Sequence, residues 1–176
     1  AATWVARRIA ALKRQSGTFG FDDMLRRLEA ALDGESGERL RERIVGQYPV
    51  ALIDEFQDTS PRQYRIFDKI YRAASNDRDT ALLLIGDPKQ SIYGFRGADI
   101  YSYLSARRAT SPRHYVLETN YRSTEPLVRA VNHWFLRAED APGEGAFLFR
   151  NDRDNPVPFL PVLAKGRKDQ LVDATG

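Results

Sequence analysis

Val-Ala-Leu-Ile-Asp-Glu-Phe-Gln-Asp, residues 50–58, is the stretch that decides the fold predicted for this chain. It begins with four apolar residues without polar alternation. This pattern predicts a strand that is buried on both faces, in a parallel sheet covered by helices. Asp54 and Glu55 follow where that strand ends. Because open α/β sheets bind ligands outside the carboxyl ends of their strands, this position indicates a functional role for both acids.

An apolar strand that ends in Asp-Glu is typical of the Walker B motif of nucleotide hydrolases. In that motif the aspartate holds Mg²⁺ and the neighbouring acid handles the attacking water. Apolar-then-acidic strings also end ordinary strands, so the interpretation depends on what the rest of the chain places beside these two acids.

The bulk composition is that of a globular protein without a membrane segment. The 176 residues are 42% hydrophobic and 29% charged, and no apolar run approaches the roughly 20 residues that a membrane helix needs. Cysteine is absent, which excludes disulfides and thiolate metal sites and is compatible with the cytoplasmic location that we expect. The net charge of +3 permits a nucleic-acid or nucleotide partner without requiring one.

A second apolar run, Ala81–Ile85, follows a predicted helix of residues 60–74. Strand, helix and strand in this order predict a βαβ unit with parallel strands and a right-handed crossover. Both strand ends then open onto the same edge of the sheet. We therefore expect Gly86–Gln90 to lie beside Asp54 and Glu55, so that two polar loops form one candidate site.

The remaining predicted elements follow from apolar spacing and capping residues. Helices are predicted over residues 3–15, 22–32, 37–45 and 99–109, and apolar spacing from Leu127 predicts another to Ala138. A third strand is predicted over His114–Leu117. Proline, glycine, aspartate and asparagine dominate from residue 139 onward. This composition predicts irregular structure there.

Three loops together carry a family pattern. They are Asp54–Thr59, Gly86–Asp99 and Asn120–Thr124. They resemble motifs II, III and IV of superfamily 1A, or UvrD-like, DNA helicases. With Gly20–Leu25 upstream and Pro158–Val162 downstream, the chain is most similar to the RecB-type subunits of bacterial exodeoxyribonuclease V.

The resemblance implies a particular α/β architecture, part of a RecA-like P-loop NTPase motor domain with parallel strands and helices on both faces. Residues 21–111 would be part of a first motor domain that carries motifs II and III. Residues 112–140 would begin a second motor domain with motif IV. Residues 1–20 would be the helical tail of an inserted subdomain, and residues 141–176 an irregular segment leading to a further insertion.

The chain departs from the family in lacking the Walker A loop. That loop, Gly-x-x-x-x-Gly-Lys-Ser/Thr, cradles the β- and γ-phosphates, and the sequence contains no Gly-Lys dipeptide. Motifs V and VI and a nuclease domain are missing as well. We therefore expect an internal fragment without the Walker A strand, inactive alone. Its sheet edge at Leu82–Ile85 would be unpaired and exposed, or covered by a second copy or by the C-terminal extended segment.

Residue by residue, the resemblance implies an ATP site with Mg²⁺. Asp54 would bind Mg²⁺ and Glu55 would act on the attacking water. Gln90 would hydrogen-bond the γ-phosphate and sense the nucleotide state. Gln57 would couple to the phosphate side.

The same comparison implies two further groups of contacts. Arg122 is similar to the motif IV arginine that reaches the γ-phosphate, and Tyr121 to the aromatic residue that stacks on adenine. Tyr93, Phe95 and Arg96 resemble the residues that bind single-stranded DNA along its path. Aromatic stacking binds bases without reading their sequence, as a translocating motor requires.

The implied function is that of an ATP-dependent DNA helicase and exonuclease subunit, which translocates on single-stranded DNA and processes double-strand ends for recombinational repair. The implied partners are DNA ends and RecC-like and RecD-like subunits, with no membrane. The alternatives are another UvrD-like helicase or AddA-type subunit, and a non-hydrolysing helicase-like module that binds DNA or scaffolds a partner. Intact Asp54, Glu55, Gln90 and Arg122 favour a hydrolase.

Overall fold

The computed structural model describes residues 2–92, 94 and 99–166. The chain divides into two units, Ala1–Ala109 and Thr110–Gly176. The first unit contains helices α1 (Ala2–Ser16), α2 (Phe21–Asp33), α3 (Gly37–Gln47), α4 (Pro61–Tyr71) and α5 (Ile100–Ala109), and strands β1 (Val50–Ile53) and β2 (Ala81–Leu84). The second unit contains strands β3 (Thr119–Asn120) and β4 (Leu163–Ala164) and helix α6 (Glu125–Asp140).

β1 and β2 form the predicted parallel pair, with α4 as the connection between them. Val50 lies opposite Ala81, and Ile53 lies opposite Leu84. Because the strands run in the same direction, their carboxyl ends meet at one edge of the sheet. The α/β fold class is confirmed by this unit, whereas the RecA-like architecture stays a prediction.

α4 begins with the capping box that the sequence predicts. Ser60 Oγ accepts a hydrogen bond from the backbone N–H of Gln63 over 3.4 Å, and Gln63 Oε1 accepts from the backbone N–H of Ser60 over 2.9 Å. Pro61 takes the first helical position, where its missing N–H removes no hydrogen bond. The helix ends at Tyr71, slightly earlier than predicted, because Arg72 adopts a left-handed conformation with φ 50°.

Two apolar clusters fix α4 against its neighbours. In the first, Ile66, Ile70 and Tyr71 of α4 pack against α2, α3 and the strands. Their partners are Leu25, Leu28, Leu32, Ile44, Val45, Ala51 and Leu82. In the second, Tyr64 packs edge-on against Phe56, with ring centroids 5.8 Å apart. This cluster joins α4 to α5 and to the chain just after β1.

Within the described residues the sheet is covered, and partly buried, on one face only. Ala51 and Ile53 of β1 pack against the helical clusters. The alternating side chains Val50 and Leu52 are 62% and 59% exposed, and Leu83 of β2 is 46% exposed. The predictions of a strand buried on both faces and of helices on both faces are therefore wrong for the described chain. The reason is that the helices in contact with the sheet all pack against the same face.

Within the described residues, the strand of the C-terminal segment pairs inside its own unit. Leu163–Ala164 pairs in parallel with Thr119–Asn120 inside the second unit. Within the described chain β2 pairs only with β1. Of the three alternatives expected for the edge, the described strands show no pairing with the C-terminal extended segment, and self-association through that edge stays a prediction.

The predicted third strand at His114–Leu117 is not formed. Tyr115 and Leu117 are 97% and 90% exposed, and the ladder begins further along, at Thr119. A strand needs a hydrogen-bonding neighbour, and the neighbour within this unit, β4, pairs only at residues 119–120. The apolar residues alone therefore placed the predicted strand a few residues before the observed one.

The segment after α6 lacks helices up to Gly166, as predicted, but it is tied to α6 along its length. The side-chain amide of Asn132 donates to the backbone carbonyl of Val162 over 2.8 Å and accepts from its N–H over 3.3 Å. Phe135 stacks with Phe147 and Phe159, at centroid distances of 5.4 and 5.2 Å. These contacts hold β4 in position beside β3. Within the described residues, no helix has both the length and the apolar character that spanning a bilayer would demand.

Replacing the capping residue of α4 tests how much the crossover helix depends on it. We expect Ser60→Ala to lower the free energy of unfolding by about 1 kcal/mol, because an N–H group at the start of the helix loses its acceptor. Urea denaturation followed by circular dichroism measures the change. Ser105→Ala, at an exposed position inside α5, is the control and should cost nothing. Equal losses in the two variants would contradict a capping role for Ser60.

Candidate nucleotide-binding site

The structure brings the two predicted polar loops into direct contact at the carboxyl ends of β1 and β2. We call Asp54–Asp58 the acid loop and Gly86–Gln90 the Gly86 loop. The backbone N–H of Ile85 donates to Ile53 O, and that of Phe56 donates to Ile85 O, both over 2.8 Å. The pairing of the strands therefore continues beyond their ends. The predicted meeting of the two loops is confirmed.

The acid loop turns sharply at the candidate catalytic acid. Glu55 has a left-handed backbone conformation, with φ 49° and ψ 42°, and a 3₁₀-helix, Phe56–Asp58, follows it. A left-handed conformation is unusual for a residue with a side chain and is found mainly where the surrounding structure enforces it. Asp54 Oδ1 accepts from the backbone N–H of Glu55 over 2.9 Å, which supports the turn. Both carboxylates are exposed at the edge of the sheet.

Gln57 is buried beneath the acid loop and connects it to the Gly86 loop. Its Nε2 donates to Glu55 Oε2 over 2.6 Å, and its Oε1 accepts from the backbone N–H of Asp87 over 3.0 Å. The Ser91 hydroxyl donates to the backbone carbonyl of Gln57 over 3.3 Å. The predicted coupling of Gln57 to the phosphate side of the nucleotide stays a prediction.

The carboxylate of Asp87 organises the Gly86 loop. It accepts from the backbone N–H of Lys89 over 3.0 Å, from Lys89 Nζ over 2.7 Å, and from Gln90 Nε2 over 3.3 Å. Burial raises the pKa of the Asp87 carboxyl, but the hydrogen bonds and charge of Lys89, with a smaller contribution from Gln90, outweigh burial and hold that pKa below its ordinary value. Asp87 is therefore a charged anchor at neutral pH. Gln90 remains exposed at the rim.

A close approach of the two loops requires glycine at position 86. A Cβ atom there would lie 2.6 Å from Gln57 Oε1 and 3.1 Å from the backbone nitrogens of Phe56 and Gln57. Contacts this short force atoms to move, and Gln57 cannot move without losing its hydrogen bonds. The Gly immediately after a predicted strand was the available sequence signal for this approach.

The second unit carries the other two candidate nucleotide contacts. Asn120 Oδ1 accepts from the backbone N–H groups of Arg122 and Ser123, each over 2.9 Å. This Asx-type turn leaves the side chains of Tyr121 and Arg122 exposed. The sequence places Asn120 in the motif Asn120–Thr124 without indicating this role. The roles of Tyr121 and Arg122 stay predictions.

The three candidate DNA-binding residues lie outside the described residues. They are Tyr93, Phe95 and Arg96. Their role stays a prediction from the sequence.

Comparison with known proteins identifies the family. Residues 2–111 match the UvrD/REP helicase N-terminal domain. The chain belongs to the UvrD/REP helicase family. The predicted UvrD-like membership is confirmed, and it covers both loops of the site.

Within this family, the chain is similar to proteins named RecBCD enzyme subunit RecB. It is 50% identical to that of Escherichia coli (strain K12) over 163 residues, which are 93% of this chain and 13% of the relative. For Buchnera aphidicola subsp. Schizaphis graminum (strain Sg) the identity is 44% over 155 residues, 88% of this chain and 12% of the relative. For Haemophilus influenzae (strain ATCC 51907 / DSM 11121 / KW20 / Rd) the identity is 49% over 131 residues, which are 74% of this chain and 10% of the relative. The predicted RecB resemblance is confirmed, and the chain spans between 10% and 13% of the length of these relatives.

The acid loop of this UvrD/REP helicase family member fits a magnesium–nucleotide complex better than a protein-only metal site. Among the described residues, no group of three or more His, Cys, Asp and Glu could hold a metal ion. Mg²⁺ in nucleotide sites is held by one or two carboxylates together with phosphate oxygens and water. Asp54 offers one exposed carboxylate, and within the described chain only its Oδ1 is hydrogen-bonded. Asp54 is therefore the residue that could hold Mg²⁺ bound to a nucleotide.

Adding a methyl group at position 86 tests the tight contact between the two loops. We expect Gly86→Ala to lower the free energy of unfolding by about 1–3 kcal/mol, since the new Cβ collides with Gln57 and with backbone nitrogens. Gly46→Ala is the matched control, because a Cβ at this position in α3 meets no atom within 4 Å. It should raise stability by about 0.5–1 kcal/mol through helix propensity. The close approach would be refuted if urea denaturation gave the two variants changes of the same sign.

Proposed function

We propose that this chain is part of the motor of a RecB-type, ATP-dependent DNA helicase and exonuclease subunit. The observation that carries the proposal is the contact between the acid loop and the Gly86 loop at the ends of two parallel strands. That edge is where open α/β sheets bind ligands. Membership of the UvrD/REP helicase family and the printed name of the relatives, RecBCD enzyme subunit RecB, support it.

The proposed chemistry is hydrolysis of ATP by an in-line attack of water on the γ-phosphate. Glu55 orients the water and accepts its proton, and its exposure at the rim leaves it accessible to substrate. Gln90 hydrogen-bonds the terminal phosphate without adding charge. Asp54 would hold Mg²⁺, which neutralises charge on the phosphate oxygens when it is bound.

For the second unit we propose roles that follow from side-chain chemistry. Arg122 binds the terminal phosphate through its planar guanidinium, which can donate two hydrogen bonds at once. Arginine contacts of this kind are worth about 10³–10⁵ in rate in phosphoryl transfer. Tyr121 stacks on the adenine ring. The Asx turn at Asn120 supports both roles because it fixes the backbone that carries these side chains.

The proposed substrate is DNA. Tyr93, Phe95 and Arg96 would bind single-stranded DNA. Each base stacked on an aromatic ring would contribute about 1–3 kcal/mol to the binding free energy. ATP turnover would drive translocation during processing of double-strand ends for recombinational repair. RecC-like and RecD-like subunits are the proposed partners, and the cytoplasm is the proposed location.

Removing the proposed base tests the assignment of ATP hydrolysis. In the full-length protein, we expect Glu55→Gln to lower DNA-stimulated ATP turnover by about 10²–10⁴-fold, because the amide cannot accept the proton of the attacking water. ATP binding, measured by equilibrium titration, should persist. Glu42→Gln on the exposed side of α3 is the control with the same chemical change, and it should turn over ATP like the wild type. Full turnover by Glu55→Gln would rule out Glu55 as the base.

We also propose that the 176-residue chain does not hydrolyse ATP on its own. The family's phosphate-binding lysine loop needs a Gly-Lys dipeptide, which this sequence lacks. Phosphate release from ATP by the purified chain, measured with and without single-stranded DNA, should equal the rate without protein. Turnover above that rate, which is lost in Glu55→Gln, would show that the chain is a complete hydrolase.

A further inference from the structure

Gln57 holds the two loops of the site together from below. Only 2% of its surface is exposed. Its amide nitrogen reaches the Glu55 carboxylate at 2.6 Å and its amide oxygen accepts from the Asp87 backbone N–H at 3.0 Å. The two loops are therefore joined by one buried side chain whose donor and acceptor are both used, which avoids the cost of an unsatisfied buried amide.

The chemistry of this position calls for an amide of this length. The ionised carboxylate of Glu55 can only accept hydrogen bonds, whereas the backbone N–H of Asp87 can only donate. Glutamine offers a donor to the first and an acceptor to the second. An ionised glutamate would keep the acceptor and lose the donor, whereas a protonated glutamate would keep both. Methionine would fill the volume with neither. A side chain at position 86 would collide with this amide, because a Cβ there would lie 2.6 Å from Gln57 Oε1.

From Asp87 the hydrogen bonds continue to the candidate phosphate contact. Asp87 Oδ2 accepts from Gln90 Nε2 over 3.3 Å. A continuous path thus runs from the carboxylate of Glu55 through Gln57 and Asp87 to the amide of Gln90. Its two ends, Glu55 and Gln90, are exposed at the rim while Gln57 is buried. A nucleotide at the rim would meet the two ends of this path and not its middle.

We propose that Gln57 is a positioning residue, which holds the carboxylate of Glu55 and the loop of Gln90 in fixed relation to each other. The proposal rests on the proposed function, since it assigns Glu55 and Gln90 to ATP hydrolysis. An exposed glutamate without this bond rotates among several side-chain conformations. Gln57 therefore contributes to turnover, and nucleotide affinity is independent of it.

Gln57→Glu in the full-length protein keeps an acceptor for Asp87 and, assayed at a pH at which the new side chain is ionised, removes the bond to Glu55. We expect kcat of DNA-stimulated ATP hydrolysis to fall about 10- to 100-fold, since a displacement of about 1 Å can cost 10²-fold in rate. KM for ATP should stay within about twofold of the wild type, because uniform nucleotide binding is not lost. Each kcat is divided by the number of nucleotide sites found by equilibrium titration, so that unfolded protein is not counted.

Gln57→Met removes both hydrogen bonds and keeps an apolar side chain of similar volume, so it decides the outcome if the glutamate variant does not fold. The same loss of kcat is expected. Hydrogen exchange of the peptide containing Asp87 should become faster in Gln57→Met and stay slow in Gln57→Glu. Wild-type kcat in Gln57→Met would overturn the proposal. So would an increase in KM at constant kcat, which would indicate a direct nucleotide contact.

Gln63→Glu provides the matched control. It makes the same chemical change in the capping box of α4, where glutamate serves as well as glutamine, and it should leave kcat and KM unchanged. The failure of the two proposals can be told apart. Absence of ATP turnover by the wild-type protein would refute the proposed function. Wild-type turnover combined with unimpaired Gln57→Glu and Gln57→Met variants would refute only the positioning role.

Discussion

The parallel pairing of β1 with β2 is the constraint on which the rest of the first unit depends. Parallel strands cannot be joined by a tight turn, so the chain between them must cross over the sheet, and α4 makes that crossing. The pairing continues past the strands through the hydrogen bonds of Ile85 with Ile53 and Phe56. The acid loop and the Gly86 loop are consequently brought together by the backbone before any functional side chain contributes.

Strand order and direction could be predicted from the sequence, but burial of the sheet could not. An apolar run indicates that both faces of a strand favour burial. It does not show whether another helix or sheet is present to cover each face. Val50 and Leu52 illustrate the difference, since they are as apolar as the partly buried Ile53 and yet remain exposed. The prediction of a strand at His114–Leu117 was wrong for a related reason. Local preference for extended structure becomes a strand only where a neighbour supplies hydrogen bonds.

The site shows the same division between what sequence order determines and what packing determines. The meeting of Asp54 and Glu55 with Gly86–Gln90 followed from strand direction alone. The bond between Gln57 and Asp87 joins residues 30 positions apart. It depends on one conformation of the Gln57 side chain, which a Cβ at position 86 would obstruct. No pattern of residue types specifies such a conformation. The hydrogen bonds of Asn120 are easier to predict, because an asparagine before a turn commonly accepts from the backbone N–H groups that follow it.

The placement of charge in the site follows from the cost of burying it. A carboxylate that must exchange water and ligands has to stay at the surface, so packing cannot hold it in place. Glu55 also carries a left-handed backbone, which costs about 1–2 kcal/mol. The hydrogen bond that the neutral, buried Gln57 donates to the Glu55 carboxylate offsets part of that cost. Burying an amide with both partners satisfied is far less costly than burying a charge, and this difference explains why the neutral residue lies inside and the acid outside.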